Sequence, residues 1–163
     1  MRSADNDELT SALINATSLD DSAQQFALLD QAFAQGGASD VAVVMLASKL
    51  VVNPDRNIAA QAVTKTRNVG IDRFGVLTLA AEHPSRYVRS YALAETLMHG
   101  PASPAKLHAV NAFTRDKIGS TADSAKLAQR RLRAELGVTS LTVAREVANR
   151  ALRRIIYTLM AQS

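Results

Sequence analysis

The chain has 163 residues and a net charge of +4, with 47% hydrophobic and 4% aromatic residues and no cysteine or tryptophan. That length predicts one domain with an ordinary core, and the composition excludes a disulfide framework, a cysteine-built zinc site and a thiol nucleophile. Only four prolines and seven glycines argue against collagen-like, linker-rich or turn-dense all-β chains.

Helix punctuation runs through the whole sequence. Asp5, Asn6, Asp7 and Glu8 open a first helix with Leu9, Leu13 and Ala16 on one stripe. Asp20 and Asp21 open a second, which carries Phe26, Leu29 and Phe33 and stops at Gly36-Gly37. Ser39 and Asp40 open a third over residues 41–52. Its valines suit a strand, but the apolar run is too long for one and helices flank it. Carboxylates and hydroxyls at these starts satisfy free backbone N–H groups and favour the positive end of the helix dipole.

Asn53-Pro54 ends the third helix and starts a fourth, with Asn53 as its expected cap, Pro54 in its first turn and a stop near Gly70. Asp72 starts a fifth with Phe74, Leu77 and Ala81. After His83-Pro84 a sixth runs through Val88, Ala92 and Leu97 to Gly100. Ser103-Pro104 begins a seventh, Ser120-Thr121 caps an eighth that ends at Gly137, and Ser140 caps a ninth. No apolar stretch approaches the ~18–20 residues of a membrane span. The acidic opening MRSADNDEL does not suit a signal or transit peptide, so a cytoplasmic location is expected.

A thirty-residue shift aligns Pro54 with Pro84, Arg56 with Arg86, Ala62 with Ala92, Thr66 with Thr96 and Gly70 with Gly100. These positions are the break, the inner stripe and the stop that a repeated helix pair must keep. Around the second copy, LAAEHPSRYVRSYALAETLMHG resembles a HEAT-like repeat, with Pro84, Val88, Arg89, Ala92 and Leu93 on the family pattern. The copy at Pro54 departs from it, with Ala59 where the Arg belongs, and the resemblance covers residues 41–100.

The resemblance implies an all-α fold: a short right-handed α-solenoid of about four antiparallel helix pairs, near 5–36, 39–70, 71–100 and 104–136, in one domain. An amphipathic helix over 140–161 closes it. It further implies a non-enzymatic scaffold that binds a macromolecule, most readily a protein, as an adaptor or regulator. No cofactor, metal or catalytic constellation is expected; none of His83, His99 and His108 has HExxH spacing or an evident acid-base partner.

Candidate binding residues follow from charge. Arg56 and Arg86 stand in the first turns of their helices, against the dipole, and Arg89 lies on the family pattern. Either the pair at 56 and 86 forms a ladder with acids such as Asp55 and Glu82, or it meets a partner carboxylate or phosphate.

Residues 1–40 carry −6, residues 41–100 carry +3 and residues 101–163 carry +7. The last helix places Ala144, Val147, Ala148, Ala151, Leu152, Ile155 and Leu159 on one face, expected to close the stack. Arg145, Arg150, Arg153, Arg154 and Tyr157 lie on the other, and Arg130, Arg131 and Arg133 add a second cluster. Besides a membrane-surface helix, which an Ala-rich apolar face needed to close the stack disfavours, three readings of these arginines stand: a solvated face, contact with an acidic protein or another copy, and nucleic-acid phosphates. The last two give the alternative functions, nucleic-acid binding or a self-assembling subunit whose acidic start meets the basic end of the next copy.

Overall fold

The computed structural model describes residues 2–36, 39–137 and 140–162, and the side chains of 6–36, 39–70, 72–137 and 149–161. Nine α-helices and no strand occur among the described residues: α1 (Arg2–Ala16), α2 (Ser22–Gln35), α3 (Asp40–Val51), α4 (Arg56–Lys65), α5 (Arg73–Leu79), α6 (Arg86–Met98), α7 (Pro104–Phe113), α8 (Gly119–Leu136) and α9 (Ser140–Gln162).

Chemistry at the helix ends explains most of the boundaries. Asp21 accepts from the Gln24 N–H at 3.1 Å, Asp55 from the Asn57 N–H at 2.7 Å, and Ser103 from the Lys106 N–H at 3.1 Å. Gly36 and Gly137 close α2 and α8 in the left-handed conformation, at φ 61° and 56°. At α4 the expected cap moves by two residues. Asn53 Oδ1 accepts from the Asp55 N–H at 2.9 Å, which builds a turn through Pro54 and leaves Asp55 as the cap. At α8 the helix begins before Ser120, and Asp116 Oδ1 holds the preceding Ile118 N–H at 2.7 Å.

Each helix packs on its successor within the pairs α1/α2, α3/α4, α5/α6 and α7/α8. The first members also stack in series, α1 on α3, α3 on α5 and α5 on α7, while α4 packs on α6 and α6 on α8. The valine-rich α3 is surrounded by α1, α2, α4, α5 and α9, so most of its side chains from Ala42 to Val51 are buried and apolar. Val44, Leu46, Leu50 and Val51 are all at most 2% exposed. Full burial of such a side chain contributes about 1.5–3 kcal/mol.

The thirty-residue offset relates equivalent places. Arg56 and Arg86 are each the first residue of a helix, and Ala62 and Ala92 are both buried. Thr66 and Thr96 are buried too, each donating its hydroxyl to its own helix backbone, at 2.6 and 2.7 Å. Gly70 and Gly100 both take positive φ, 75° and 80°. At Gly100 a Cβ would also lie 3.2 Å from Phe74 Cζ, so this stop is fixed by conformation and by space.

Candidate functional site

The turns that precede α4, α6 and α8 lie side by side and are tied by polar bonds. His83 is 3% exposed; its Nδ1 accepts from the Ser85 N–H at 3.0 Å, so Nε2 carries the proton and donates to Asn53 O at 2.8 Å. Arg89 donates to His83 O at 2.8 Å and Pro84 O at 3.0 Å, and its Nε donates to Asp116 Oδ2 at 2.7 Å. The Arg89 and Asp116 side chains are only 11% and 1% exposed. Burial alone would raise the Asp116 carboxyl, but the Arg89 hydrogen bond, the Ile118 N–H and the Arg89 charge together hold it below the usual range. Arg89, expected among the binding residues, is therefore committed to an interior strut. Its acid lies 27 residues away, a distance at which sequence spacing carries no signal.

Above these braced turns runs an open groove of about 660 Å³. Its walls include Arg56 and Asn57 from α4, Arg86, Tyr87 and Ser90 from α6, and Ser120 from α8. Arg56 and Arg86 are exposed, and neither forms an ion pair among the described residues. The ladder with Asp55 and Glu82 is absent there, because the Asp55 carboxylate is occupied by the α4 N-terminus. The first turns of three helices thus open on one groove together with two guanidinium groups, and both features favour anions. Tyr87 is 56% exposed and stacks on Tyr91 with ring centroids 6.0 Å apart and planes 7° apart. The Tyr91 hydroxyl bonds the Thr64 hydroxyl at 2.7 Å, so the inner ring braces the outer one against α4.

At the other end of α4 and α6 lies a cluster of which only the four-residue spacing of Glu95 and His99 was a local signal. It gives His99 the acidic neighbour that was not expected from the sequence. Arg67 makes a bidentate contact with the buried carboxylate of Glu95, Nε to Oε2 at 2.9 Å, and His99 Nε2 lies 3.5 Å from Oε2. The Arg67 hydrogen bond, which outweighs burial, holds the Glu95 carboxyl below its ordinary range. Lys106 Nζ donates to Leu97 O and Gly100 O, both at 2.9 Å, and so caps the carbonyl end of α6. Burial, followed by the charge of Arg73, pushes the Lys106 ammonium below its ordinary value. Arg73 lies over the Phe74 ring at 5.2 Å, with Nε and Nη2 buried and lacking a hydrogen-bond partner among the described residues. Glu95 and Lys106 are buried, whereas Arg67 and His99 reach solvent, so the cluster braces the pairs from the rim of the core.

The ninth helix corrects the expected orientation. It lies across α3, α5 and α7, but the residues turned towards them are Arg150, Ala151, Arg154, Tyr157, Thr158 and Ala161, all half-buried. Arg153 Nη1 contacts Asp72 Oδ1 at 3.3 Å, and the Tyr157 hydroxyl donates to Asp72 Oδ2 at 3.2 Å. Burial and then the Asp72 charge raise the Tyr157 hydroxyl above its usual value. Of the residues expected to close the stack, Ala151 does face it, Leu152, Ile155 and Leu159 are 59%, 55% and 59% exposed, and the side chains of Ala144, Val147 and Ala148 lie outside the described residues. A physical reason lies in Asp72, whose nearly buried carboxylate beside α5 receives Arg153 and Tyr157 from the polar side of α9. Arg130, Arg131 and Arg133 are exposed on α8, whereas the Arg145 side chain lies outside the described residues.

His108 is half-buried, and desolvation, then the charges of Arg150 and Arg154, lower its imidazole below the ordinary value. No group of three or more His, Cys, Asp or Glu side chains comes together among the described residues, and no described helix is long and apolar enough to cross a membrane. No family model, curated protein or solved structure matches this chain.

Proposed function

We propose that this chain is a non-enzymatic, cytoplasmic helical-repeat scaffold of the HEAT-like kind, a short right-handed solenoid that holds an acidic segment of a protein partner. The observation that carries the reading is the pair Arg56 and Arg86. They occupy equivalent positions thirty residues apart, are exposed without an ion pair among the described residues, and line one groove. Placing a cation in a helix's first turn costs about 0.3–1 kcal/mol at an exposed site, and an anionic partner repays that at both positions. The braced turns beneath, from Asn53 through His83 to Asp116, hold the groove in shape before the partner arrives. Tyr87 offers an exposed aromatic surface beside the two charges, the amphipathic contact that protein interfaces favour.

Nucleic-acid binding is the second reading, favoured by the exposed Arg130, Arg131 and Arg133 on α8. It receives less support from α9, where Arg150 and Arg154 turn towards the bundle and Arg153 pairs with Asp72.

Titration with fluorescent peptides rich in Glu or phosphoserine, beside a duplex and a single-stranded oligonucleotide, tests the two readings. The scaffold reading expects peptide binding that weakens about tenfold or more in Arg56→Glu/Arg86→Glu and is unchanged in Arg131→Glu/Arg133→Glu. Peptide binding indifferent to the groove variant, or only oligonucleotide binding that falls steeply with salt and with the α8 variant, overturns it.

A further inference from the structure

The outward side of α9 carries Leu152, Ile155, Ile156, Leu159 and Met160, exposed by 59%, 55%, 45%, 59% and 42%. Their spacing, i, i+3, i+4, i+7 and i+8, draws one continuous apolar stripe along the helix. Elsewhere the same pattern faces the interior: Val88 and Ala92 of α6 are fully buried, and so is Leu13 of α1. Beside the stripe runs an apolar groove of about 460 Å³, lined by His108, Ala151, Arg154, Ile155, Thr158 and Leu159.

We propose that α9 is a dimerisation element, in which this stripe packs against the same stripe of a second copy about a two-fold axis. An axis passing between Ile155 and Ile156 sets Leu152 of each copy against Leu159 of the other, and Ile155 against Ile156. The stripe is its own complement in this register. The ridge of one helix then has the groove beside the other to enter, as ridge-into-groove packing requires.

Three observations single out a second copy. The five side chains expose on the order of 470 Å² per copy, a patch of the size that marks interaction sites, and full burial of both stripes approaches the approximately 1,000 Å² at which specific interfaces begin. The crest bears no charge among the described side chains, and a two-fold contact places like groups together near its axis, so an uncharged crest suits it. Of the described cations of α9, Arg150 and Arg154 are half-buried towards the bundle, and Arg153, at the edge of the stripe with its side chain 57% exposed, is tied to Asp72. A helix lying on an anionic lipid surface instead keeps its basic side chains at the edges of the apolar face, free to reach the headgroups.

The test is the mass of the full chain by light scattering and sedimentation, from low to high micromolar. The expected result is twice the 17.4 kDa of one chain, with a monomer in Leu152→Glu and in Ile155→Glu at unchanged helical circular dichroism. Should a glutamate variant lose helix, Leu152→Ala/Ile155→Ala reads the same contact and is expected to weaken dimerisation about tenfold or more. The groove variant Arg56→Glu/Arg86→Glu is expected to remain dimeric, which separates this inference from the scaffold reading. A monomer at every concentration, or a dimer whose stability ignores the α9 variants, overturns the proposal. So does a monomer that floats with phosphatidylserine vesicles and loses this in Ile155→Glu, since the stripe would then serve a lipid surface.

Discussion

Helices α6 and α9 use nearly the same alphabet, arginines and a tyrosine on one side and aliphatic residues on the other, yet they sit in the fold in opposite senses. In α6 the aliphatic side is interior, with Val88 and Ala92 fully buried, and Arg86 looks outward. In α9 Arg150, Arg154 and Tyr157 turn towards α3, α5 and α7, and Leu152 and Ile155 look outward. The difference shows that amphipathicity defines two faces without deciding which one the core receives. A helix folded between its neighbours in a stack must give them its apolar side. A helix laid across a finished layer can give its polar side where that layer holds a carboxylate, here Asp72, in need of donors.

Substitutions can break that contrast, and the largest effect belongs to α6. Val88→Asp buries a carboxylate in a fully enclosed site and is expected to cost more than about 4 kcal/mol, enough to remove the cooperative thermal transition. Next comes Arg89→Ala, which strands the Asp116 carboxylate in the interior. Its expected cost is about 3 kcal/mol, read as a lowered urea midpoint at an unchanged slope.

Acid sharpens the comparison further, because the two depressed carboxyls among the described residues, Glu95 and Asp116, belong to α6 and to the turn before α8. Held below their ordinary values, they bind fewer protons in the folded chain than in the unfolded chain across the acidic range. Their contribution is therefore complete above the ordinary carboxylate range and is lost as pH falls through the folded values. Urea midpoints are expected to be flat near neutrality and to drop in acid, with a smaller drop in Glu95→Gln. An unchanged acid profile in that variant would remove Glu95 from the account. The smallest effect is that of Ile155→Glu on α9, within about 0.5 kcal/mol at a concentration where the chain is monomeric, as for other exposed sites.

Much of the local structure was legible. Asp21, Ser103, Gly36 and Gly137 announced helix ends because caps act on backbone groups within three or four residues. The thirty-residue correspondence marked Arg56 and Arg86 as equivalent, and both open helices on a common groove. Asn53 was misread by two residues, since its side chain bonds Asp55 to make a turn where a cap was expected. Arg89, expected among the binding residues, is an interior strut whose partner, Asp116, comes from another helix pair and left no local signal. The Arg67–Glu95–His99 cluster lay hidden for a similar reason, its longest link joining residues 28 apart.

By itself, then, the sequence determined that this chain is helical, where most helices begin and end, and which residues recur at thirty-residue spacing. All of these rest on hydrogen bonds and dihedral preferences that reach one turn along the backbone. Tertiary structure alone decided which arginines are interior struts and which stand free at the groove, and it alone turned the aliphatic side of α9 outward. Those outcomes depend on how charges distant in sequence are satisfied once their carriers pack, and burial magnifies that requirement beyond any local preference.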